Sequence, residues 1–229
     1  MFDNTDYTHD FIRWINFLGD KPLPTKELEK LQQTIITNQD VGFAYFCALE
    51  FPYRVYLMQK VIVDQKNASY ALLFAQHIDN ANISLLQKII IGSQNVGLMT
   101  KFSCFVLKSN HQVLEKLIIK AGIDKYAHML IKHVKGSNIE KLKPIILASG
   151  KPRYLFELAK HCPSDVALIE KLIIRAGNAN YIRIFAEKIK GANVERLEQA
   201  ILSLGDKDEI KKFAQYVRKS KMKKFLLID

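Results

Sequence analysis

The chain has 229 residues, of which 48% are hydrophobic, and it contains ten glycines, six prolines and three cysteines. This composition excludes a collagen, a disordered chain and a disulfide-rich scaffold, and it provides enough apolar side chains for one extended domain or two small ones. The first residues are acidic where a signal peptide needs positive charge, and no apolar run reaches the roughly 18 residues of a membrane span. We therefore expect a protein without a transmembrane segment, in the cytoplasm of the producing cell or of a host cell.

The charge of the chain is distributed unevenly. Lys and Arg outnumber Asp and Glu by 34 to 23, which gives a net charge of +11. Residues 1–110 contain ten basic and ten acidic side chains, whereas residues 111–229 contain 24 basic and 13 acidic ones. This asymmetry is typical of a protein with a polyanionic or acidic partner, and a lysine-rich surface that only keeps the protein in solution explains it equally well.

The first predicted element is an amphipathic helix over residues 6–18, in the segment DYTHDFIRWINFL. A link with two prolines, KPLPT, follows this helix. We assign residues 1–25 to an N-terminal capping helix and its link, and we expect the helix to close one end of the fold.

A nine-residue pattern recurs seven times after this link. It is clearest in LEKLIIKAG (residues 114–122), IEKLIIRAG (residues 169–177) and LEQAILSLG (residues 197–205). The copies end near residues 39, 66, 94, 122, 150, 177 and 205, so the period is 27 or 28 residues. A period this regular is the mark of a repeat architecture.

Each repeat contains the signals of two helices. The first helix begins at a short polar side chain that accepts hydrogen bonds from the open N–H groups of a helix start, and apolar residues at the fourth, eighth and twelfth positions share one helical face. The second helix begins at an asparagine in the sixteenth position and ends at a glycine or a polar residue. The predicted caps of the first helices are Asp40, Asn67, Asn95, Asn178 and Asp206, and those of the second helices are Asn82, Asn110, Asn138 and Asn193.

Helices of about three turns are marginally stable alone, so each must bury its apolar stripe against its neighbours. The predicted fold class is all-α: an α-solenoid of about seven two-helix repeats over residues 26–220, with residues 221–229 as a basic and partly apolar C-terminal end. The repeat resembles the HEAT-like class of α-helical repeats, although it is shorter than the usual unit, and it is similar to helical-repeat proteins of large DNA viruses and intracellular bacteria. This resemblance implies an architecture and no catalytic residue.

No residue pattern in the chain indicates a cofactor, a metal site or an enzyme. Cys47, Cys104 and Cys162 fall on or near core positions of the first helices, and their wide separation favours buried structural thiols. His77, His133 and His161 all occupy the eleventh position of their repeats; we expect partly exposed histidines there rather than metal ligands. A HEAT-like DNA glycosylase is the enzyme worth testing, because the resemblance implies a solenoid of a size that can embrace damaged DNA. Its site would need aromatic side chains and a carboxylate in the concave groove, and the only tryptophan, Trp14, lies in the predicted capping helix.

Two groups of basic residues are the candidate binding sites. In the first, lysines occupy the third position of the second-helix pattern, and stacked repeats would place them roughly 10 Å apart, beside the acidic Glu115, Glu170 and Glu198. The second is the densest basic segment, over residues 207–224. The lysine column consists of Lys60, Lys88, Lys116 and Lys171, widened by Lys120 and Arg175 and by Lys141 and Arg196, and the basic segment contributes Lys211, Lys212, Arg218, Lys219, Lys221, Lys223 and Lys224.

These features favour a non-catalytic scaffold that binds another protein through a groove or through its basic C-terminal half. The alternative is nucleic-acid binding along the lysine column, independent of base sequence and weakened by salt. Solvated lysine faces that stabilise their own helices remain a third explanation. The sequence leaves the oligomeric state open.

Overall fold

A computed structural model describes residues 24–222 of the chain, and within them every regular element is helical. None of the helices in this range is long and apolar enough to cross a membrane. The all-α class is therefore confirmed for residues 24–222, whereas the predicted capping helix at residues 6–18 lies outside the described residues. The helices are α1 (Thr25–Asn38), α2 (Val41–Glu50), α3 (Val55–Asp64), α4 (Ala68–His77), α5 (Ile83–Gly92), α6 (Val96–Phe105), α7 (His111–Ala121), α8 (Asp124–His133), α9 (Ile139–Ser149), α10 (Pro152–His161), α11 (Val166–Arg175), α12 (Ala179–Lys188), α13 (Val194–Leu204) and α14 (Lys207–Tyr216), with a 3₁₀ turn at Pro163–Asp165.

The chain forms two compact units, residues 1–89 and residues 90–229, which we call the N-terminal unit and the C-terminal unit. In the C-terminal unit, first helices (α6, α8, α10, α12, α14) alternate with second helices (α7, α9, α11, α13). Each helix packs against the next along the chain, and each first helix also packs against the next first helix. Second helices make no contact of comparable extent with one another. This neighbour-to-neighbour order is consistent with a helical repeat.

The predicted caps explain where the helices begin. Asp40 accepts a hydrogen bond from the Phe43 N–H at 3.0 Å, and Asn67 accepts one from the Tyr70 N–H at 3.1 Å. Asn138 and Asn193 cap their second helices in the same way. The remaining predicted caps, Asn82, Asn95, Asn110, Asn178 and Asp206, also accept from the N–H three residues ahead, so the set is confirmed.

The residue that ends each second-helix pattern has a left-handed backbone. Gly122 has a φ of 64°, as expected for glycine at this position. Gln39, Lys66 and Gln94 adopt the same conformation with φ of 53°, 50° and 54°, although a Cβ atom makes it unfavourable. The chain turn after the second helix is therefore preserved where the sequence lacks the glycine.

The core lies where the repeat predicts it. Six apolar residues at the eighth position of the first helices are fully buried. These residues are Phe74, Phe102, Leu130, Leu158, Phe185 and Phe213.

A polar contact that the sequence did not reveal links consecutive second helices. In the C-terminal unit, carboxylate oxygens of Glu115 and Glu170 accept the backbone N–H groups of Asn138 and Asn193 at 2.6 and 2.7 Å. In the N-terminal unit, Gln59 makes the same link with two hydrogen bonds, from the Asn82 N–H at 2.8 Å and to the Asn82 carbonyl at 3.1 Å. We call these side chains clamp residues, because each fixes the start of the next second helix.

Candidate functional site

The lysines predicted to form a column are exposed, and they belong to both units. Lys60 and Lys88 lie in the N-terminal unit. Lys116 on α7 and Lys171 on α11 lie in the C-terminal unit and are separated along the chain by α8, α9 and α10. None of the four forms an ion pair with a residue between 24 and 222. Of the residues that widen the column, Lys120, Lys141 and Arg175 are also exposed and without an ion pair in this range, whereas Arg196 pairs with Glu170.

The acidic residues beside this column are not free surface charges. Glu170 is only 1% exposed, and besides the Asn193 N–H it contacts the Arg196 guanidinium at 3.3 Å. Glu198 accepts the backbone N–H of Lys221 at 3.2 Å, and Glu115 binds the next helix as described above. These carboxylates therefore join neighbouring parts of the fold in addition to placing negative charge beside the lysines.

An open gap of about 420 Å³ separates α11 and α13. Lys171 and Ile174 line it from α11, and Arg196, Gln199 and Ser203 line it from α13. The gap agrees with the weak packing of second helices against one another. It brings together two basic side chains of the predicted column, Lys171 and Arg196.

The basic segment after residue 207 divides into paired and unpaired side chains. Lys212 contacts Glu209 at 2.7 Å, a hydrogen bond that raises the pKa of the lysine, and Lys221 contacts Glu195 at 3.0 Å. Arg218 and Lys219 are exposed and form no ion pair within the described range. Lys211 is exposed on α14, and Lys223 and Lys224 lie outside the described residues.

Most acidic side chains of the C-terminal unit are engaged in internal contacts. Glu209 receives hydrogen bonds from Lys212 and Arg183; burial opposes ionisation, but these two cations lower the pKa of the carboxyl group. Asp124 contacts Lys151 at 2.6 Å, and Lys143 contacts Asp165 at 3.1 Å. Since this unit holds 26 Lys and Arg against 13 Asp and Glu, many of its cations have no counter-charge.

Several of these cations lie on the turns that join first helices to second helices. Lys135 and Lys190 occupy four-residue turns closed by hydrogen bonds from the Ser137 N–H to the Val134 carbonyl and from the Ala192 N–H to the Ile189 carbonyl. The following residues, Gly136 and Gly191, have φ of 82° and 91°, which favours glycine. Arg218 and Lys219 lie just after α14, the last helix of the described residues. We call Lys108, Lys135, Lys190, Arg218 and Lys219 the turn cations; all are exposed and none forms an ion pair within residues 24–222.

Sequence analysis did not predict the turn cations as a group. It identified the asparagine caps of these turns but did not include Lys108, Lys135 and Lys190 among its candidates, and it assigned Arg218 and Lys219 to the basic segment. A usable signal was present, because a basic residue stands at the thirteenth or fourteenth position in four of the repeats in the C-terminal unit.

The eleventh position of each repeat is the last residue of its first helix. His133 and His161 are exposed there, as expected, and the Phe105 ring lies 5.5 Å from the His133 ring. In the N-terminal unit, His77 forms a 2.7 Å hydrogen bond with the Tyr45 hydroxyl. No group of three or more potential metal ligands occurs among the described residues.

The cysteines follow the predicted burial in two cases of three. Cys47 and Cys162 are buried, and Cys104 is half-buried, with its thiol 3.7 Å from the Met129 carbonyl. Burial raises the pKa of the Cys47 and Cys104 thiols to about 11. Both thiols are therefore protonated at neutral pH and are poor nucleophiles.

Comparison of the chain with protein-family models, curated proteins and solved structures finds no match.

Proposed function

We propose that this chain is a non-catalytic binding scaffold whose C-terminal unit binds an acidic surface of another macromolecule. The observation that supports the proposal is the positive charge of this unit, in which acidic side chains are used internally while many lysines and arginines stay exposed and unpaired. A folded protein maintains such a field at a cost in self-repulsion, and an acidic partner relieves it.

The proposal includes the architecture that suits such a role. We propose that the helices form about seven two-helix repeats of a HEAT-like α-solenoid over residues 26–220. The caps, the left-handed residues after second helices and the clamp residues support a common unit, because each recurs at the same position of the 28-residue pattern. A repeat array offers a long surface on which binding groups recur at regular spacing.

A catalytic role has less support from the side chains. The Cys47 and Cys104 thiols have raised pKa values, and most carboxylates of the C-terminal unit are bound to cations or to backbone N–H groups. A DNA glycosylase needs a free carboxylate and aromatic side chains at a flipped base. The single tryptophan of the chain, Trp14, lies outside the described residues. Release of a base from alkylated DNA by the purified chain would contradict the non-catalytic proposal.

Two partner classes fit the charge: an acidic protein surface and the phosphates of a nucleic acid. The test is fluorescence anisotropy of the full-length chain with labelled polyglutamate, single-stranded DNA, single-stranded RNA and duplex DNA, at about 50 and 200 mM salt. We expect at least one of these anions to bind and to bind more weakly at the higher salt concentration. Failure of all four to bind at the lower concentration would contradict the proposed function.

A further inference from the structure

The five first helices of the C-terminal unit all end at the eleventh position of the repeat. Their last residues are Phe105, His133, His161, Lys188 and Tyr216, and all are exposed. Four of the five have planar rings, and Phe105 and Tyr216 leave 48% and 53% of their surface in solvent. Because consecutive first helices pack against each other, these ends follow one another along the same side of the unit.

The turn cations follow these helix ends along the chain. Four of the five first helices are followed within three residues by at least one turn cation. Lys132 adds a further exposed charge next to the His133 ring. Leu107, in the turn after Phe105, is 98% exposed and makes the first turn partly apolar.

The carboxylates nearest these helix ends along the chain are paired with other cations, as Glu140 and Asp165 are with Lys143 and Glu195 is with Lys221. Glu157 lies one turn inside α10 and contacts Lys160 at 2.8 Å, with His161 at 3.7 Å. Glu187 contacts Arg183 and Lys188 of its own helix at 3.1 and 2.9 Å. The turn cations themselves have no acidic partner in the described range, so their charge faces solvent.

We propose that this side of the C-terminal unit, the helix-end rings together with the turn cations, binds single-stranded nucleic acid independently of base sequence. Single-strand binding surfaces combine a cationic track for the phosphates with rings on which bases stack, and every base has a face that can stack. The second-helix lysines offer charge without rings. This inference rests on the proposed binding role and specifies its partner and its surface.

The test compares three variants of the full chain with the wild type. The turn variant replaces Lys108, Lys135, Lys190 and Arg218 by Gln; its matched control replaces Lys116, Lys120, Lys171 and Arg175 by Gln and so removes the same net charge. The ring variant changes Phe105→Ala and Tyr216→Ala. Binding of labelled oligothymidylate, oligouridylate, duplex DNA and polyglutamate is measured by anisotropy over a salt series, and thermal unfolding verifies that each variant is folded.

For single strands, we expect the turn variant to lose about tenfold or more in affinity and to lower the salt slope by about 3, since each phosphate contact contributes about 0.7 to it. The matched control should lose less than about threefold in affinity for single strands. The ring variant should bind single strands about tenfold more weakly, because each lost stacking contact is costly, and should bind duplex DNA as the wild type does.

Several results would overturn the inference without touching the proposed function. Equal losses of single-strand affinity in the turn variant and its control would show that binding depends on the overall positive charge of the protein and not on the turn cations. Duplex binding as tight as single-strand binding, or a ring variant with wild-type affinity, would remove the stacking role. Polyglutamate binding that is tighter than oligothymidylate binding and is lost in the turn variant would assign the surface to an acidic protein. Failure of every anion to bind the wild type would contradict the proposed function itself.

Discussion

The two units are built from similar pairs of helices and differ in the charge and polarity of their exposed side chains. Residues 1–89 hold eight Lys and Arg against ten Asp and Glu, whereas residues 90–229 hold 26 against 13. The N-terminal unit exposes apolar side chains on α2, on α3 and on the turn between them, namely Phe46, Leu49, Tyr53 and Tyr56. At the seventh and tenth positions of the repeat, which Phe46 and Leu49 occupy, several repeats of the C-terminal unit have an exposed lysine instead. The comparison teaches that caps and buried positions maintain the helix pair, while the exposed positions are free to change character between units.

The units also solve the same local problems with different residues. The clamp in the N-terminal unit is the neutral Gln59, and in the C-terminal unit it is the charged Glu115 or Glu170. The left-handed residue after a second helix is Gln39 or Lys66 in the N-terminal unit, whereas in the C-terminal unit it is Gln94 after α5 and a glycine, such as Gly122, after the later second helices. Replacing a clamp or a left-handed residue of one unit by the residue type of the other unit tests whether this difference affects the stability of the protein.

The largest effect is expected at the clamp. Glu170→Ala should lower the free energy of unfolding by about 2–3 kcal/mol, because it leaves the Asn193 N–H without its acceptor and removes a charged hydrogen bond from a buried site. Chemical denaturation measures this. Glu195→Ala is the control, since Glu195 is 69% exposed and its ion pair with Lys221 is worth at most about 1 kcal/mol.

A second clamp variant isolates the charge. Glu170→Gln keeps an oxygen that can accept the Asn193 N–H, as Gln59 does in the N-terminal unit, so it should retain more stability than Glu170→Ala. Equal losses in the two Glu170 variants would show that the charge, and not the acceptor, stabilises this contact.

The next effect is expected at the left-handed residues. Gly122→Ala should destabilise the protein and Lys66→Gly should stabilise it, each by about 1 kcal/mol, because a side chain at φ near 60° is strained and glycine is not. Thermal unfolding of both variants measures the two shifts. Shifts of the same sign would contradict the assignment of strain to Lys66.

A close approach between repeats predicts a smaller cost. A Cβ at Gly97 would lie 2.8 Å from the Tyr126 hydroxyl, whereas a Cβ at Gly42 would lie 3.2 Å from the Tyr70 hydroxyl. Gly97→Ala should therefore cost about 1 kcal/mol after its gain in helix propensity, and Gly42→Ala should be nearly neutral. Calorimetric melting compares the two variants.

The controls for this contact are within the same chain. Gly92→Ala places its Cβ in open space and should not destabilise the protein. Adding Tyr126→Phe to Gly97→Ala removes the hydroxyl that the new Cβ would meet, and it should recover most of the loss. A full loss in the double variant would mean that the hydroxyl is not the cause.

The smallest effect is a pH dependence at His128, which is buried and stacked on the Tyr154 ring at 4.4 Å. Burial, with help from Arg153, lowers the pKa of His128, so the folded protein resists the proton that the unfolded chain accepts near its ordinary pKa of about 6.5. Stability is therefore complete above that pH and falls as the pH drops through it. His128→Phe, which keeps the stacked ring, should lose less stability than the wild type between about pH 7.5 and 5.5.

The sequence predicted a large part of the fold because its signals act locally. An asparagine such as Asn67 or Asn138 caps the helix that begins beside it, and a residue such as Phe102 is buried because its spacing places it on the apolar face. The predicted thiol burial was correct for Cys47 and Cys162 and only partly so for Cys104. The candidate surface was harder to predict, since the glycine and asparagine beside Lys135 and Lys190 already explain these segments as turns and give no reason to assign the lysines a role.

By itself, the sequence determined the helical class, the period, the caps and the core positions, because each depends on residues a few places apart along the chain. Only the tertiary structure decided which polar groups meet across repeats. Glu170 and Asn193 are 23 residues apart, and their contact depends on how one second helix approaches the next. The same packing joins Phe105 to His133, because side chains from separate repeats become neighbours only when the first helices stack.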